Sequence, residues 1–387
     1  MLLATPATFS PIAAGLKLSE LIGALSHALD ITEGQPEGHC VRCCWIGMHI
    51  GREIGLDERQ LWELYYTLLL KDLGCSSNAA RICELYLTDD LQFKRDFKRV
   101  GDSLPQVVRF VLQHTGLKAG LAERFHSVLH IFRDGSEISR DLIQTRCQRG
   151  AEIARLLRFS EGIAAGIYSL DEHWSGQGKP AGLAGEAIPV YARIALLSQV
   201  IDVFQTADGA PAALAEVRAR SDKWFDPAQV AAFERVARSE EFWTTLNSPV
   251  VSQAVFALEP GSYEVPLDED YLDDIAAAFG QVVDSKSPYT SGHSARVALY
   301  TDLIAETMGL GLERRRWLKR GALLHDVGKL GVSNSVLDKA GKLDDAEWPA
   351  VRQHAALTES ILSRLAAFSD LPRLAGPPPQ PLPVADA

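Results

Sequence analysis

Apolar side chains along most of the chain recur every three or four residues, which is the spacing of one face of an α-helix. The segment "SGHSARVALYTDLIAETMGL" (291–310) shows this well. His293, Val297 and Ile304 fall on one face there, and Gly309 ends the pattern. Because nearly every long segment behaves in the same way, the pattern predicts an all-α fold.

Two later segments repeat the placement of a histidine among apolar residues. In "ERRRWLKRGALLHD" (313–326), His325 lies on the apolar stripe, and in "DDAEWPAVRQHAALTESILSRLA" (344–366) His354 does the same. Together with His293, three histidines therefore lie on the apolar faces of three successive helices. Such faces pack against each other, so the three imidazoles are expected to meet inside a helical bundle.

The chain also contains an internal repeat. Residues 38–75 match residues 292–329 without a gap at a constant offset of 254, and both copies keep a Gly-His pair at the start and an Asp near the end. The copies differ where chemistry would be expected, since Lys71 stands in place of His325 and Cys75 in place of Lys329. The sequence thus predicts two helical bundles in tandem.

Changes in composition mark the predicted boundaries. The segment "NSPVVSQAVFALEPGSYEVPLDED" carries the Pro, Gly and acidic residues of a linker, and "LPRLAGPPPQPLPVADA" has too much proline for a helix. We therefore expect a first unit at residues 15–246, a linker at 247–267, a second unit at 268–370 and a disordered proline-rich tail at 371–387.

Charge and hydropathy exclude several classes of partner. The 387-residue chain has a formal net charge of −11 and no long basic run, which argues against a nucleic-acid-binding surface. No stretch of 18 uncharged apolar residues would span a membrane, and the first 20 residues do not resemble a signal peptide. All six cysteines lie within the first 147 residues without the spacing of a disulfide framework. A cytoplasmic protein with reduced thiols is the expectation.

The "HD" pair at residues 325–326 suggests metal chemistry. Imidazole and carboxylate groups converging inside a bundle suit a divalent ion such as Fe, Mn, Mg or Zn. Such an ion activates water, and a nearby lysine, here Lys329, can neutralise phosphate oxygens, so phosphoester hydrolysis is the natural interpretation. A buried His–Asp core pair is the plain alternative. Cys40, Cys43 and Cys44 near His39 allow a soft-metal site, but core packing is the favoured interpretation there.

The motifs "GHSARVA", "LLHDVGKLGV", "VLDKAGKLDDAEW" and "RQHAALTESIL", in this order, resemble the HD superfamily of metal-dependent phosphohydrolases, and within it the HD-GYP branch of cyclic di-GMP phosphodiesterases. The resemblance implies metal ligation by His293, His325, Asp326 and His354, with Lys329 and Asp326 as catalytic residues. It also implies a cyclic dinucleotide or nucleotide as ligand. Other signalling proteins and a second copy of the chain are further partners compatible with the family.

Each unit departs from the family pattern. In the second unit the double-His motif, the Gly-Tyr-Pro loop and a last ligating Asp would be due where "PPPQPLPVADA" stands, so this unit is expected to be incomplete. The first unit keeps a Gly-Tyr-Pro-like loop, "GQGKPAGLAG", but has lost ligands. Arg146 or Cys147 takes the place of His354, Leu170 and Asp171 take the double-His positions, and Gln199 that of the last Asp.

With a cationic Lys71 as well, the first unit is predicted to be metal-free. Two further hypotheses follow, one for an inactive protein and one for a completed site. The chain could be an inactive signalling module that binds a nucleotide or a protein, or a composite site could form in which Asp171, Glu172 or His173 supply the missing ligands of the second unit.

Overall fold

The computed structural model describes residues 17–101, 103–117, 119–261 and 267–364. These segments are built from helices joined by turns and contain no β-strand, so the predicted all-α fold is confirmed. None of the helices in these segments is long and apolar enough to cross a bilayer. The predicted tail at 371–387 lies outside the described residues.

The first unit contains thirteen α-helices within the described residues, with a short 3-10 turn at Gly185–Ala187. In chain order they are α1 (Leu18–Thr32), α2 (His39–Glu53), α3 (Glu58–Leu70), α4 (Ala79–Tyr86), α5 (Asp90–Phe97), α6 (Leu104–His114), α7 (Leu121–Leu156), α8 (Glu161–Tyr168), α9 (Val190–Asp208), α10 (Ala210–Arg220), α11 (Pro227–Val236), α12 (Glu240–Leu246) and α13 (Val251–Phe256).

The second unit follows with five described helices and repeats the start of the first. They are α14 (Glu269–Asp284), α15 (His293–Thr307), α16 (Leu312–Leu324), α17 (Asn334–Leu337) and α18 (Trp348–Leu362), with short 3-10 turns at Pro288–Thr290 and Val327–Gly331.

The repeat seen in the sequence is reproduced in three dimensions. Helices α2 and α15 both have 15 residues, and α3 and α16 both have 13. The start of each 15-residue helix is held in the same way. Asp30 accepts hydrogen bonds from the amides of Gly38 and Cys40, and Asp284 accepts one from the amide of Ser294. A carboxylate at the positive N-terminal end of a helix is stabilising, so α2 and α15 begin with equivalent stabilising contacts.

A close helix approach also occurs in both units. A Cβ on Gly328 would lie 1.9 Å from the carbonyl oxygen of His354, and a Cβ on Gly74 would lie 1.9 Å from that of Arg146. Only glycine tolerates this contact, which brings the turn after the HD position against a later helix, α7 in the first unit and α18 in the second. The matching contacts confirm that Arg146 occupies the place of His354, one of the two residues the sequence allowed there.

The two units share one hydrophobic core rather than standing apart. Helix α1 of the first unit packs against the Val327–Gly331 turn of the second, where Ile31 lies next to Gly331. In the reverse direction, the Ser76 hydroxyl donates to the carbonyl of Val282 in α14 at 2.7 Å. Each unit's first helix therefore supports the turn that carries the other unit's site.

Part of the predicted linker, 247–267, is helical. Helix α13 lies inside this range, its Val251 and Val255 side chains are buried, and it packs against α1 and α2. The sequence "VVSQAVF" has its large apolar residues at helical spacing, and burial against α2 stabilises them in that form. These residues extend the core of the first unit.

Candidate metal centre

Three helices and a 3-10 turn bring the side chains of the second-unit site together. Helix α16 ends at Leu324, so His325 and Asp326 lie at its C-terminal end, and the 3-10 turn that follows carries Lys329. His293 is the first residue of α15, and His354 lies within α18. The close contact of Gly328 with α18 is what brings His354 to the same place.

Asp326 is the centre of the cluster. Its Oδ2 lies 3.1 Å from Nε2 of His325 and 3.6 Å from Nε2 of His293, and its Oδ1 lies 3.9 Å from Nε2 of His354. The ligand atoms of His293, His325 and Asp326 all lie within 4.8 Å of one another. The structure therefore brings together the four ligands that the sequence predicted.

The Nδ1 atoms of two of the histidines form hydrogen bonds to backbone carbonyl groups. Nδ1 of His325 lies 2.8 Å from the carbonyl oxygen of Ala322, and Nδ1 of His354 lies 2.5 Å from that of Val351. A carbonyl can only accept, so each Nδ1 carries a proton, and in the neutral form of each ring Nε2 is a lone pair directed at the cluster. Metal-binding histidines are oriented in this way, so the residues present fit a divalent ion.

The electrostatics of the cluster favour an ionised carboxylate. Burial would raise the pKa of Asp326, but hydrogen bonds from His325 and Lys329 outweigh it and hold that pKa well below its usual range. The Lys329 ammonium lies 2.6 Å from Oδ2 of Asp326. The hydrogen bond to Asp326 also raises the pKa of His325 in spite of its burial. A negatively charged ligand is thus available at the centre.

A pocket of about 120 Å³ adjoins the cluster. His293, Asp326 and Lys329 form one side, and the segment that leads from α14 into α15 forms the other, including Lys286 and Tyr289. A substrate group in this pocket would touch both a ligand set for a metal and a cationic side chain. This combination suits a phosphate ester.

In the first unit, a lysine occupies the corresponding centre. The Lys71 side chain is fully buried, its ammonium lies 3.1 Å from Nε2 of His39 and 3.1 Å from Oε1 of Gln199, and it also contacts Asp72. The Lys71 ammonium already neutralises the carboxylate at the position equivalent to the metal site, and it would repel a divalent cation there. This arrangement supports a metal-free first unit, which stays a prediction.

The remaining polar groups of the first-unit centre are also paired internally. His39 donates from Nδ1 to Asp202 at 2.7 Å, and Arg146 pairs with Asp171. Lys98 lies 2.8 Å from Glu33 and 3.9 Å from Asp72. Burial and the Lys71 charge lower the pKa of His39 to about 4, so its ring is neutral near pH 7. The clusters that could in principle hold an ion here are therefore neutralised by basic side chains.

The composite site considered from the sequence is contradicted by the contacts of its candidates. Asp171 is paired with Arg146, and the Glu172 carboxylate accepts hydrogen bonds from the backbone amides of Ala181, Gly182 and Leu183. The His173 ring stacks on Trp224, with the ring centroids 4.2 Å apart. The Glu172 side chain thus holds the Gly-Tyr-Pro-like loop, and the side chains of Asp171 and His173 contact other residues of the first unit.

Two residues of the first-unit centre were missed in the sequence. Asp202 follows Gln199 by three residues on α9, so helical spacing was an available signal for it. Lys98 lies just after α5, in a stretch between the copies of the repeat that has no counterpart in the second unit, so nothing in the repeat could identify it.

Comparisons with known proteins identify the family. The HD domain family matches residues 127–229 and again residues 290–375. The 3'3'-cGAMP-specific phosphodiesterase 3 of Vibrio cholerae is 56% identical over 359 residues, which are 93% of this chain and 78% of that protein. The chain belongs to the HD superfamily of phosphohydrolases.

A solved structure and a shorter match agree with this assignment. A crystal structure of a cyclic GMP-AMP-specific phosphodiesterase of Vibrio cholerae matches with a TM-score of 0.67 and 52% identity, covering 93% of this chain and 82% of that one. A cyclic di-GMP phosphodiesterase of Thermotoga maritima is 30% identical over 130 residues, 33% of this chain and 35% of that protein. The predicted family and the tandem HD arrangement are therefore confirmed. The predicted incompleteness of the second unit concerns residues beyond 364 and stays a prediction.

Proposed function

We propose that this protein is a metal-dependent phosphodiesterase that opens a 3'3'-linked cyclic dinucleotide, with 3'3'-cGAMP as its substrate. The observation that carries the proposal is the convergence of three imidazole Nε2 atoms on Asp326 beside a pocket that Lys329 also lines. The relatives support the substrate class, because they are named for 3'3'-cGAMP or cyclic di-GMP. The similarity over almost the whole chain favours 3'3'-cGAMP within that class.

The ligands of the ion would be His293, His325, Asp326 and His354. A bound divalent ion supplies a Lewis acid that polarises the phosphodiester and lowers the pKa of a coordinated water. The hydrogen bonds from Nδ1 of His325 and His354 to backbone carbonyls keep those two rings oriented with Nε2 inward. The ionised Asp326 contributes the negative charge that a divalent cation requires.

Lys329 would act on the substrate rather than on the ion. Its ammonium is held at the edge of the pocket by Asp326, and its side chain is 27% exposed, so it can reach a ligand there. A cation in this position binds a non-bridging phosphate oxygen and neutralises charge that builds up on it as the ester bond breaks. The first unit, with Lys71 in its centre, would take no part in this chemistry and would support the second unit through the shared core.

Metal content and turnover together test the proposal. Purified protein supplied with Mn²⁺, Fe²⁺, Mg²⁺ or Zn²⁺ is expected to open 3'3'-cGAMP to a linear dinucleotide faster than it opens cyclic di-GMP, as followed by chromatography. His325→Ala should lose both bound metal and turnover. His126→Ala is the matched control, because His126 is exposed on α7, in the other unit.

Two results would contradict the proposal in different ways. If the protein binds 3'3'-cGAMP but binds no metal and does not hydrolyse the nucleotide, it is a binding module, which is the alternative raised by the sequence. Faster turnover of cyclic di-GMP than of 3'3'-cGAMP would leave the reaction in place and refute the substrate.

A further inference from the structure

The pocket beside the metal cluster has a wall that contains no predicted ligand. Its lining includes Lys286, Ser287 and Tyr289 from the segment between α14 and α15, together with Leu337 from α17. A volume of about 120 Å³ corresponds to about four water molecules, which is room for a phosphate group or part of a base but not for a whole dinucleotide. The wall is thus placed to contact a part of the substrate that lies next to the metal centre.

Hydrogen bonds tie this wall to α17. The Asn334 side-chain amide donates to the carbonyl of Lys286 at 2.7 Å and to Oδ2 of Asp338 at 2.6 Å. Oδ1 of Asp338 accepts from the Ser287 hydroxyl at 2.5 Å. The position of the pocket wall therefore depends on where Asn334 and Asp338 are held.

The group that holds them comes from the other unit. Asp90 is the first residue of α5, and its side chain is fully buried. Its Oδ1 accepts from the amide of Asn334 at 2.8 Å and from the Ser333 hydroxyl at 3.0 Å, and its Oδ2 accepts from the Lys286 ammonium at 3.3 Å. The Asp90 carboxylate of the first unit thus binds both chain segments behind the wall, one at Lys286 and the other at Ser333 and Asn334.

Asp90 belongs to a part of the first unit that has no counterpart in the second unit. Helices α4 to α6 lie between the turn after the HD position and the helix that carries Arg146, whereas the second unit passes from Lys329 to His354 with only the short α17 as an added helix. The added helices reach α17 directly, since α4 packs against it. They therefore have a structural connection to the second unit's pocket as well as to their own bundle.

We infer that Asp90 of the first unit is a positioning residue for a substrate subsite of the second unit, the subsite being the pocket wall formed by Lys286, Ser287 and Tyr289. The subsite would take a phosphate or a base edge of the cyclic dinucleotide, and the inference on the ligand rests on the proposed function. Asp90 touches neither the substrate nor the predicted metal ligands. It acts by holding Lys286 and Asn334, so its loss should weaken substrate binding more than it slows the chemical step.

The test uses Asp90→Asn in the full chain loaded with Mn²⁺, with Asp89→Asn as the matched control. Asp89 is the neighbouring carboxylate and accepts hydrogen bonds from the amides of Leu91 and Gln92 within its own helix. Loss of a charged hydrogen-bonding group typically changes binding by about tenfold. For Asp90→Asn we expect the KM for 3'3'-cGAMP to rise by about that factor, with kcat and metal content close to those of the control.

Ligand-free protein provides a second, independent measurement. In Asp90→Asn, hydrogen exchange of the backbone amides in residues 284–290 and 333–338 should be faster than in Asp89→Asn, while exchange in α2 and α3 stays the same. If the protein does not act on 3'3'-cGAMP at all, the proposed function fails, and the exchange experiment still decides whether Asp90 holds the wall. Equal exchange in the two variants, or a fall in kcat and metal content with an unchanged KM, would overturn the inference.

Discussion

The lysine at the centre of the first unit allows a quantitative prediction. Both Lys71 and Asp72 have side chains with no solvent exposure, and the Lys71 ammonium also donates to Gln199 and contacts His39. Lys71→Met keeps the length of the side chain and removes the charge. It leaves Asp72 ionised and buried, with Lys98 at 3.9 Å as its remaining cation. Removing one partner of a buried ion pair costs about 3–5 kcal/mol of unfolding free energy.

The matched substitution in the second unit should cost much less. Lys329 stands close to the equivalent carboxylate, Asp326, but its side chain is 27% exposed, so water can replace the lost contact. Partly exposed ion pairs contribute about 0–1 kcal/mol, and Lys329→Met should therefore leave stability nearly unchanged. By contrast, the loss of about 3–5 kcal/mol expected for Lys71→Met should lower Tm by about 6–20 °C for a unit of this size.

Urea unfolding followed by circular dichroism, together with thermal melting, measures the difference between the two variants. The double variant Lys71→Met/Asp72→Leu should recover most of the loss, because an apolar pair of similar volume avoids the buried unpaired charge. If Lys71→Met were as stable as Lys329→Met, the lysine would not be replacing a metal ion in the first-unit centre. The same conclusion would follow if the double variant were less stable than Lys71→Met.

Three further predictions concern both units. Gly328→Ala should displace α18 and abolish metal binding measured by elemental analysis, whereas Gly74→Ala, with the same 1.9 Å contact, should lower Tm and leave metal content unchanged. Lys329→Met should lower kcat for 3'3'-cGAMP by about 10²-fold with metal still bound, and an unchanged kcat would exclude its role at phosphate. The pKa of His39 is about 4 when folded and 6.5 when unfolded, so its contribution to stability is complete above pH 6.5 and is lost as the pH falls towards 4. The stability difference between wild type and His39→Gln should therefore shrink by about 3 kcal/mol over that range in urea titrations, and a constant difference would show that His39 is protonated in the folded protein.

Much of the candidate site could be predicted because its signals are local. Helical spacing placed His325 and His354 as expected, and the constant offset of the repeat identified Lys71 as the residue in place of His325. The prediction that the apolar face of α15 packs inward was wrong, because Ile304 is 61% exposed and the small residues Ser294, Ala298 and Ala305 form the buried face. His293 reaches the cluster because it is the first residue of that helix. Both signals depend on short-range geometry that every helix shares, namely its periodicity and the residues that end it. The structure confirms the all-α fold that follows from them.

The tertiary structure decided how the charges are paired. Residues 128 to 196 positions apart in the chain meet in the contacts of Lys71 with Gln199, His39 with Asp202 and Lys286 with Asp90. No periodic pattern connects such residues, because their partners depend on how whole helices pack. Helix packing also decided three other features. It placed Arg146 rather than Cys147 opposite Gly74, made part of the predicted linker helical, and joined the two units into one core. Burial then decides the chemistry: a carboxylate sealed from water beside a lysine forms an ion pair, and one open to a pocket among imidazoles can receive a metal ion.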